Sequence, residues 1–238
     1  MSGNEMLFVV FPYAAFALLV VVSIARWRLH QFTVSSMSSQ LLESKRLFWG
    51  SIPFHWGLTL ILIGHLAALI IPRSFELWNS VPLQLLLLEI TGMALGLWAL
   101  FGIVMLIARR IQVPRVRAVT TTMDGVVLGV ILAQIVTGLL IAIGYRWGSF
   151  WGTSVFVPYV RSLLTFSPRP ELVAALPVIL KLHVLSFFVF VAIFPFSRLV
   201  HIITLPLNYL TRPWQKVIRN APEPYVYQPS AEEFLTRR

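Results

Sequence analysis

The sequence predicts an all-α protein: an integral membrane bundle of five transmembrane helices, amino terminus outside and carboxyl terminus in the cytoplasm. Three observations predict it. Hydrophobic residues make up 58% of the 238 residues and charged residues only 12%, against roughly 25% charge in an ordinary soluble domain, and the mean hydropathy is +0.81. Five apolar stretches, near residues 7–25, 50–71, 83–108, 125–145 and 178–203, are long enough for helices that need about 20 residues to cross a bilayer. The basic residues fall unevenly between the connections, which orients the spans.

The charges can be followed in order. With the amino terminus outside, the inner segments hold Arg26, Arg28, Lys45, Arg46, Arg109, Arg110, Arg115, Arg117, Arg198, Arg212, Lys216, Arg219, Arg237 and Arg238, fourteen of the 19 basic residues. The outer segments hold the other five: Arg73, Arg146, Arg161, Arg169 and Lys181. The net charge of +10 therefore reads as a positive-inside signal and not as a nucleic-acid surface, because it lies in connections beside apolar spans. The opening MSGNEM has an acid and no basic run before the first span, so this span is expected to be a retained helix and not a cleaved leader.

The connections have distinct chemistries. Residues 28–49 include the serine-rich TVSSMSSQLLESKR, expected to form a short cytoplasmic helix. The second connection, from Pro72 to Pro82, is short. In the third, ARRIQVPRVRAVTTTMDG, Asp124 is expected to cap the fourth helix. The fourth, about residues 146–177, contains WGSFWGTSVFVPYVRSLLTF, whose aromatics suit an interfacial segment that anchors the outer face or covers a pocket. Residues 1–205 thus form one membrane domain. Residues 206–238, basic and spaced by Pro213, Pro222, Pro224 and Pro229, form a cytoplasmic tail expected to order against soluble partner subunits. Gly92 with Gly96, and Gly125 with Gly129, are small residues four apart and are expected to let helices three and four pack closely.

The absence of cysteine excludes disulfides and thiolate ligation within this chain, so a bound metal must be held by histidine or carboxylate. Of the 5 histidines, His55 and His65 fall in the second span and His183 and His201 in the fifth; His30 lies in the first connection. An imidazole in hydrocarbon is costly unless it meets a partner, a cavity or a metal. Because the two spans run in opposite directions, His55 and His201 lie toward the inner face, and His65 and His183 toward the outer. The α-helical repeat separates His55 from His65 by about 15 Å and about 80°, and it sets His183 and His201 about 27 Å and five whole turns apart, hence on one face. Two opposed pairs, one toward each membrane surface, match the axial geometry of bis-histidine haem. A proton relay would bring more carboxylates than Glu89, and zinc needs more ligands at one depth. Two haem b groups are expected, and Gly64 beside His65 allows a porphyrin to approach the backbone.

The segments SSQLLESKRLFWGSIPFHWGLTLILIGH, VPRVRAVTTTMDG and FPFSRLVHIITLPLNYLTR resemble the gamma subunit of membrane-bound respiratory nitrate reductase, the dihaem cytochrome b that anchors that complex. The resemblance runs over nearly the whole chain; related subunits of sulfur-metabolism complexes share the histidine pattern less closely. It implies quinol oxidation near an outer haem and transfer through an inner haem to an iron-sulfur beta subunit and a molybdenum-containing alpha subunit. Carried over, His65 and His183 ligate the outer haem and His55 and His201 the inner one, the pairing that depth alone gives. Arg109, Arg110, Arg115, Arg117 and Arg198 lie near the inner level, where guanidinium groups can pair with propionates.

The family pattern has a lysine near the outer start of helix three, implicated in quinol binding, whereas this chain reads SVPLQLLLLEITG there. Gln84 and Glu89, with Gly64, are the expected quinol-site neighbourhood. The expected protein is a quinol-oxidising subunit in the cell membrane, in contact with lipid and its two partner subunits and with no nucleic acid. Rival expectations are the dihaem anchor of another molybdenum or sulfur-metabolism complex, a nitrite-oxidising complex running in reverse, a haem-bearing anchor without quinol chemistry, and a histidine-using transporter without haem.

Overall fold

The computed structural model describes residues 2–29 and 43–199. The described elements are all helical. In chain order they are α1 (Gly3–Leu29), α2 (Lys45–Ile70), α3 (Pro72–Asn79), α4 (Pro82–Gln112), α5 (Pro114–Ala118), α6 (Thr122–Gly144), α7 (Gly148–Leu164), α8 (Glu171–Ala174) and α9 (Val178–Ile193). A 3₁₀ turn at Phe194–Phe196 continues α9. Five helices are long and apolar enough to cross a membrane: α1, α2, α4, α6 and α9 with its 3₁₀ turn.

Local chemistry sets the boundaries. Proline opens α3, α4 and α5, where its missing N–H removes nothing the helix would use. The second span starts at Lys45, earlier than its hydropathy suggests, because the Glu43 carboxylate accepts the backbone N–H groups of Arg46 at 2.7 Å and Leu47 at 3.2 Å. That arrangement satisfies two otherwise unpaired donors of the first turn. The Arg46 N–H, followed by Arg109, holds the Glu43 carboxyl below the usual range. At α6 the cap is Thr121, not Asp124 as expected: Thr121 Oγ1 accepts the Asp124 N–H at 3.3 Å, and Asp124 accepts the Thr121 N–H at 3.0 Å. This is a capping box, in which the acid belongs three residues into the helix.

The long helices neighbour one another in the order α2, α4, α6, α9, α1. Among the described residues, α2 and α9 share no extensive contact; the helices that carry the intramembrane histidines stand apart. Two cores hold the arrangement. Phe54, Ala99, Ile103, Val127, Ile131, Ile135 and Leu139 fill the space between α2, α4 and α6. Phe8, Ala15, Tyr159, Leu163, Val173, Phe188 and Val191 join α1, α7, α8 and α9. Tyr159, fully buried, donates its hydroxyl to the Phe8 carbonyl at 2.8 Å, and burial pushes its phenol well above the ordinary tyrosine value.

Glycine packing is concentrated elsewhere than expected. A Cβ at Gly57 would meet the Leu95 carbonyl at 2.7 Å and the Ala99 amide at 2.9 Å, and one at Gly102 would meet the Gly50 carbonyl at 2.7 Å. The α2 and α4 backbones therefore touch through Gly50, Gly57 and Gly102, the close approach that small residues permit between membrane helices. Of the four glycines expected to do this, only Gly96 does, against Leu139; a Cβ at Gly92, Gly125 or Gly129 would meet nothing within 4 Å.

The fifth span also departs from expectation. The α-helix ends at Ile193, and Ser197 is extended at φ −96°, ψ 175°. Pro195 has no N–H to continue the ladder, and the Ser197 hydroxyl donates to the Phe194 carbonyl at 2.7 Å. Arg26 of α1 donates to the carbonyls of Pro195 at 2.7 Å and Ser197 at 2.9 Å. The five whole turns expected between His183 and His201 are thus interrupted. His201 lies outside the described residues, as do His30, the serine-rich stretch up to residue 42 and the tail from residue 206.

Candidate functional site

The site is built on α2 and α9. His55 and His65 are both exposed on α2, and each turns Nδ1 to its own helix: His55 Nδ1 lies 2.8 Å from the Ser51 carbonyl and 3.1 Å from the Ser51 hydroxyl, and His65 Nδ1 lies 2.8 Å from the Ile61 carbonyl. A carbonyl oxygen only accepts, so Nδ1 carries the hydrogen in both rings. A neutral imidazole has one N–H. Nε2 therefore bears the lone pair and points away from the backbone bond, the state required of an imidazole that binds a metal through Nε2. Gly64 has open space where a Cβ would be.

His183 is half-buried on α9. Its ring faces α6. Thr137 Oγ1 lies 2.9 Å from Nδ1 and Gln134 Nε2 lies 3.1 Å from Nε2, while a Cβ at Gly138 would meet the ring's Cε1 at 3.2 Å. Ser186, one turn along α9, donates to Gln134 Oε1. These α6 neighbours escaped the sequence reading, although QIVTG carries a usable signal: Gln134, Thr137 and Gly138 stand at i, i+3 and i+4, one face of an otherwise apolar helix.

At the end of the bundle where α4 finishes and α6 begins, the arginines have defined partners. Arg109 is buried and donates from Nε to Glu43 Oε2 at 2.8 Å and from Nη2 to the Glu43 carbonyl at 2.7 Å. Arg110 lies 3.3 Å from Asp124 Oδ2, and Arg198 Nε lies 3.6 Å from Asp124 Oδ1. Arg115 and Arg117 are exposed on α5. At the opposite end, Glu89 accepts the Ser149 N–H at 2.9 Å and also its hydroxyl, capping α7 from α4. Asn79 donates to the Ser149 carbonyl at 2.9 Å, and Arg161 donates to the last α2 carbonyls, Leu69 at 2.8 Å and Ile70 at 3.2 Å. α7 thus anchors the end of α2 that carries His65. Gln84 is half-buried on the first turn of α4.

Among the described residues, no three His, Cys, Asp or Glu side chains gather as a bare metal ion would need. Of the described imidazoles, His55 and His65 share α2 and His183 stands on α9, a helix with which α2 has no extensive contact. Fold and site together define a multi-pass helical membrane protein with imidazoles on two of its apolar helices. The family model for the nitrate reductase gamma subunit matches residues 4–220. The respiratory nitrate reductase 1 gamma chain of Escherichia coli is 33% identical over 90% of this chain and 96% of its own length. The nitrate reductase gamma chain of Bacillus subtilis is 31% identical over 89% and 96%. A more distant likeness, 30% identity over 58% of this chain and 43% of the relative, joins it to a component of the dihydromethanophenazine:CoB–CoM heterodisulfide reductase of Methanosarcina thermophila. The chain belongs to the nitrate reductase gamma subunit family, and so is a subunit of an oxidoreductase complex.

Proposed function

We propose that the chain is a dihaem cytochrome b that oxidises quinol at the outer face of the cell membrane. Its electrons pass inward to an iron-sulfur beta subunit and then to a molybdenum-containing alpha subunit that reduces nitrate. The observation that carries this reading is the imidazole chemistry: His55 and His65 both hold Nδ1 against a backbone carbonyl and so leave Nε2 to bind a metal. His65 and His183 would hold the outer haem b, and His55 and His201 the inner one. When bound, the haems supply one-electron carriage, while the protein sets their spacing and tunes their potentials.

Quinol binds beside Gly64 and His65, near Gln84 and Glu89. Each quinol becomes quinone, giving two electrons inward and releasing two protons outward, so the reaction separates charge across the membrane. Glu89 holds α7 over this region through Ser149. At the inner end, Arg109, Arg115, Arg117 and Arg198 would contact the propionates; Arg109 also holds the Glu43 cap of α2 and Arg198 also faces Asp124. The uneven distribution of basic residues supports an outer amino terminus and a cytoplasmic tail docked on the soluble partners.

An optical spectrum of the purified complex tests the reading. Reduced b-type bands from two haems that quinol analogues can reduce are expected. Their absence ends the dihaem proposal, and haems that quinol cannot reduce mark a passive anchor. The likeness to the heterodisulfide reductase component favours one second reading, a different terminal acceptor, which copurification of the partner subunits decides.

A further inference from the structure

We infer that Thr137 of α6 is the positioning residue for His183. Thr137 fixes the tautomer that leaves Nε2 as electron-pair donor, and Gln134 occupies that nitrogen through its amide until a metal ligand bond replaces it. The inference deepens the haem reading above and rests on it for the identity of the metal.

The hydrogen inventory carries the argument. A threonine hydroxyl has one proton. In Thr137 that proton faces two backbone carbonyls, Ala133 at 2.7 Å and Gln134 at 3.1 Å. The same oxygen lies 2.9 Å from His183 Nδ1; with its proton held by the helix, it accepts there, and Nδ1 carries the ring's hydrogen. Nε2 then has the lone pair. The Gln134 amide is oriented to match, with its Nε2 facing the ring at 3.1 Å and its Oε1 facing the Ser186 hydroxyl, whose one proton is shared with the His183 carbonyl at 3.0 Å. The reverse tautomer would draw the Thr137 proton away from its 2.7 Å acceptor. Gly138 completes the seat, because any side chain there would press on the ring.

The seat provides what the backbone provides on α2. His55 and His65 are oriented by carbonyls that mutation cannot remove, whereas His183 depends on a side-chain hydroxyl that can be changed. An oxygen accepting from Nδ1–H makes an axial imidazole a stronger donor, and losing such a partner typically costs about 10–100-fold in metal affinity. A weaker donor stabilises ferric iron less and raises the reduction potential.

The test uses the intact complex from membranes, carrying Thr137→Val, Thr137→Ser or Gln134→Leu. Each haem is titrated potentiometrically by its optical bands, and its retention is measured against excess apomyoglobin as haem acceptor. Thr137→Val should move one haem to a more positive potential and loosen it by about 10–100-fold, leaving the other haem unmoved. Thr137→Ser should restore both properties. Gln134→Leu should keep both haems, because the amide leaves Nε2 when the haem binds. Thr137→Ala reads the same loss if valine is not accommodated. Two intact haems with unmoved midpoints in the Thr137 variants, equal shifts in both haems, or selective haem loss in Gln134→Leu would overturn the assignment alone. A wild-type complex without b-type bands would remove the haem reading and this assignment with it.

Discussion

The α2–α4 seam and the α6–α9 seam each hold one histidine-bearing helix, by opposite means. Between α2 and α4 the backbones meet through Gly50, Gly57 and Gly102, a dry contact set by shape, with polar bonds kept to one end at Arg46–Gln112 and Arg109–Glu43. Between α6 and α9 the contact is polar, with Gln134, Thr137, Ser186 and His183 bonded to one another. The dry seam leaves the α2 imidazoles to be oriented by their own helix, so packing and ligand geometry are separate problems there. In the polar seam the same hydrogen bonds join the helices and aim the imidazole. A change that disturbs α2–α4 should therefore act on the whole bundle, and one in α6–α9 on a single ligand.

The largest test of this contrast is Gly102→Leu, which forces side-chain atoms into the α2 backbone. Overpacking of this kind costs ~1–3 kcal/mol, and α2 carries one ligand of each proposed pair, so haem content at both sites should fall together with the melting temperature. Gly92→Ala is the matched control: a Cβ there meets nothing within 4 Å, and stability should stay within about 0.5 kcal/mol. If the two variants behave alike, the dry seam is not what holds α2.

Next come the ligands themselves. His65→Ala and His183→Ala should each remove the same single haem, seen as matching loss in the optical and low-temperature spectra, and leave the other titrating normally. Loss of different haems by the two variants breaks the proposed pairing. A smaller effect is expected at the start of α6, where Thr121→Ala removes the cap and should lower stability by about 1 kcal/mol, read as a drop in melting temperature without change in the haem spectra.

The smallest effect is one of pH. The N–H of Arg46, and then Arg109, hold the Glu43 carboxyl low, so its contribution is fully present above the ordinary glutamate value of 4.5 and is lost as pH falls through the lowered folded value. The melting temperature of wild type should therefore exceed that of Glu43→Gln at neutral pH. The two curves should converge in acid; a constant gap would assign the difference to packing.

The spans were legible because burial in hydrocarbon is written directly into composition, and the histidines because a polar ring in such a stretch needs a cause. What the sequence did not disclose depended on which helices meet. Gly57 and Gly102 sit in no four-residue repeat, yet they face each other across a seam that only the packing creates, while the regularly spaced Gly125 and Gly129 face open space. Asp124 looked like a cap, and the hydroxyl three residues earlier took that place. Pro195 stood in plain view in FPFSRLVHIITLPLNYLTR, but hydropathy carries straight through it and conceals the end of the α-helix. Gln134 and Thr137 are of residue types that do not signal a metal ligand; they matter only through the imidazole opposite.

Tyr13 of α1 bonds the Leu163 carbonyl, Tyr159 bonds the Phe8 carbonyl, and Arg26 bonds the carbonyls of Pro195 and Ser197. These bonds join residues 150 to 171 positions apart in the chain, and α1 packs chiefly on α9 and its 3₁₀ turn. Contacts that close so long a loop form late. α1 thus takes its place only when α9 and its 3₁₀ turn, far along the chain, are there to receive it.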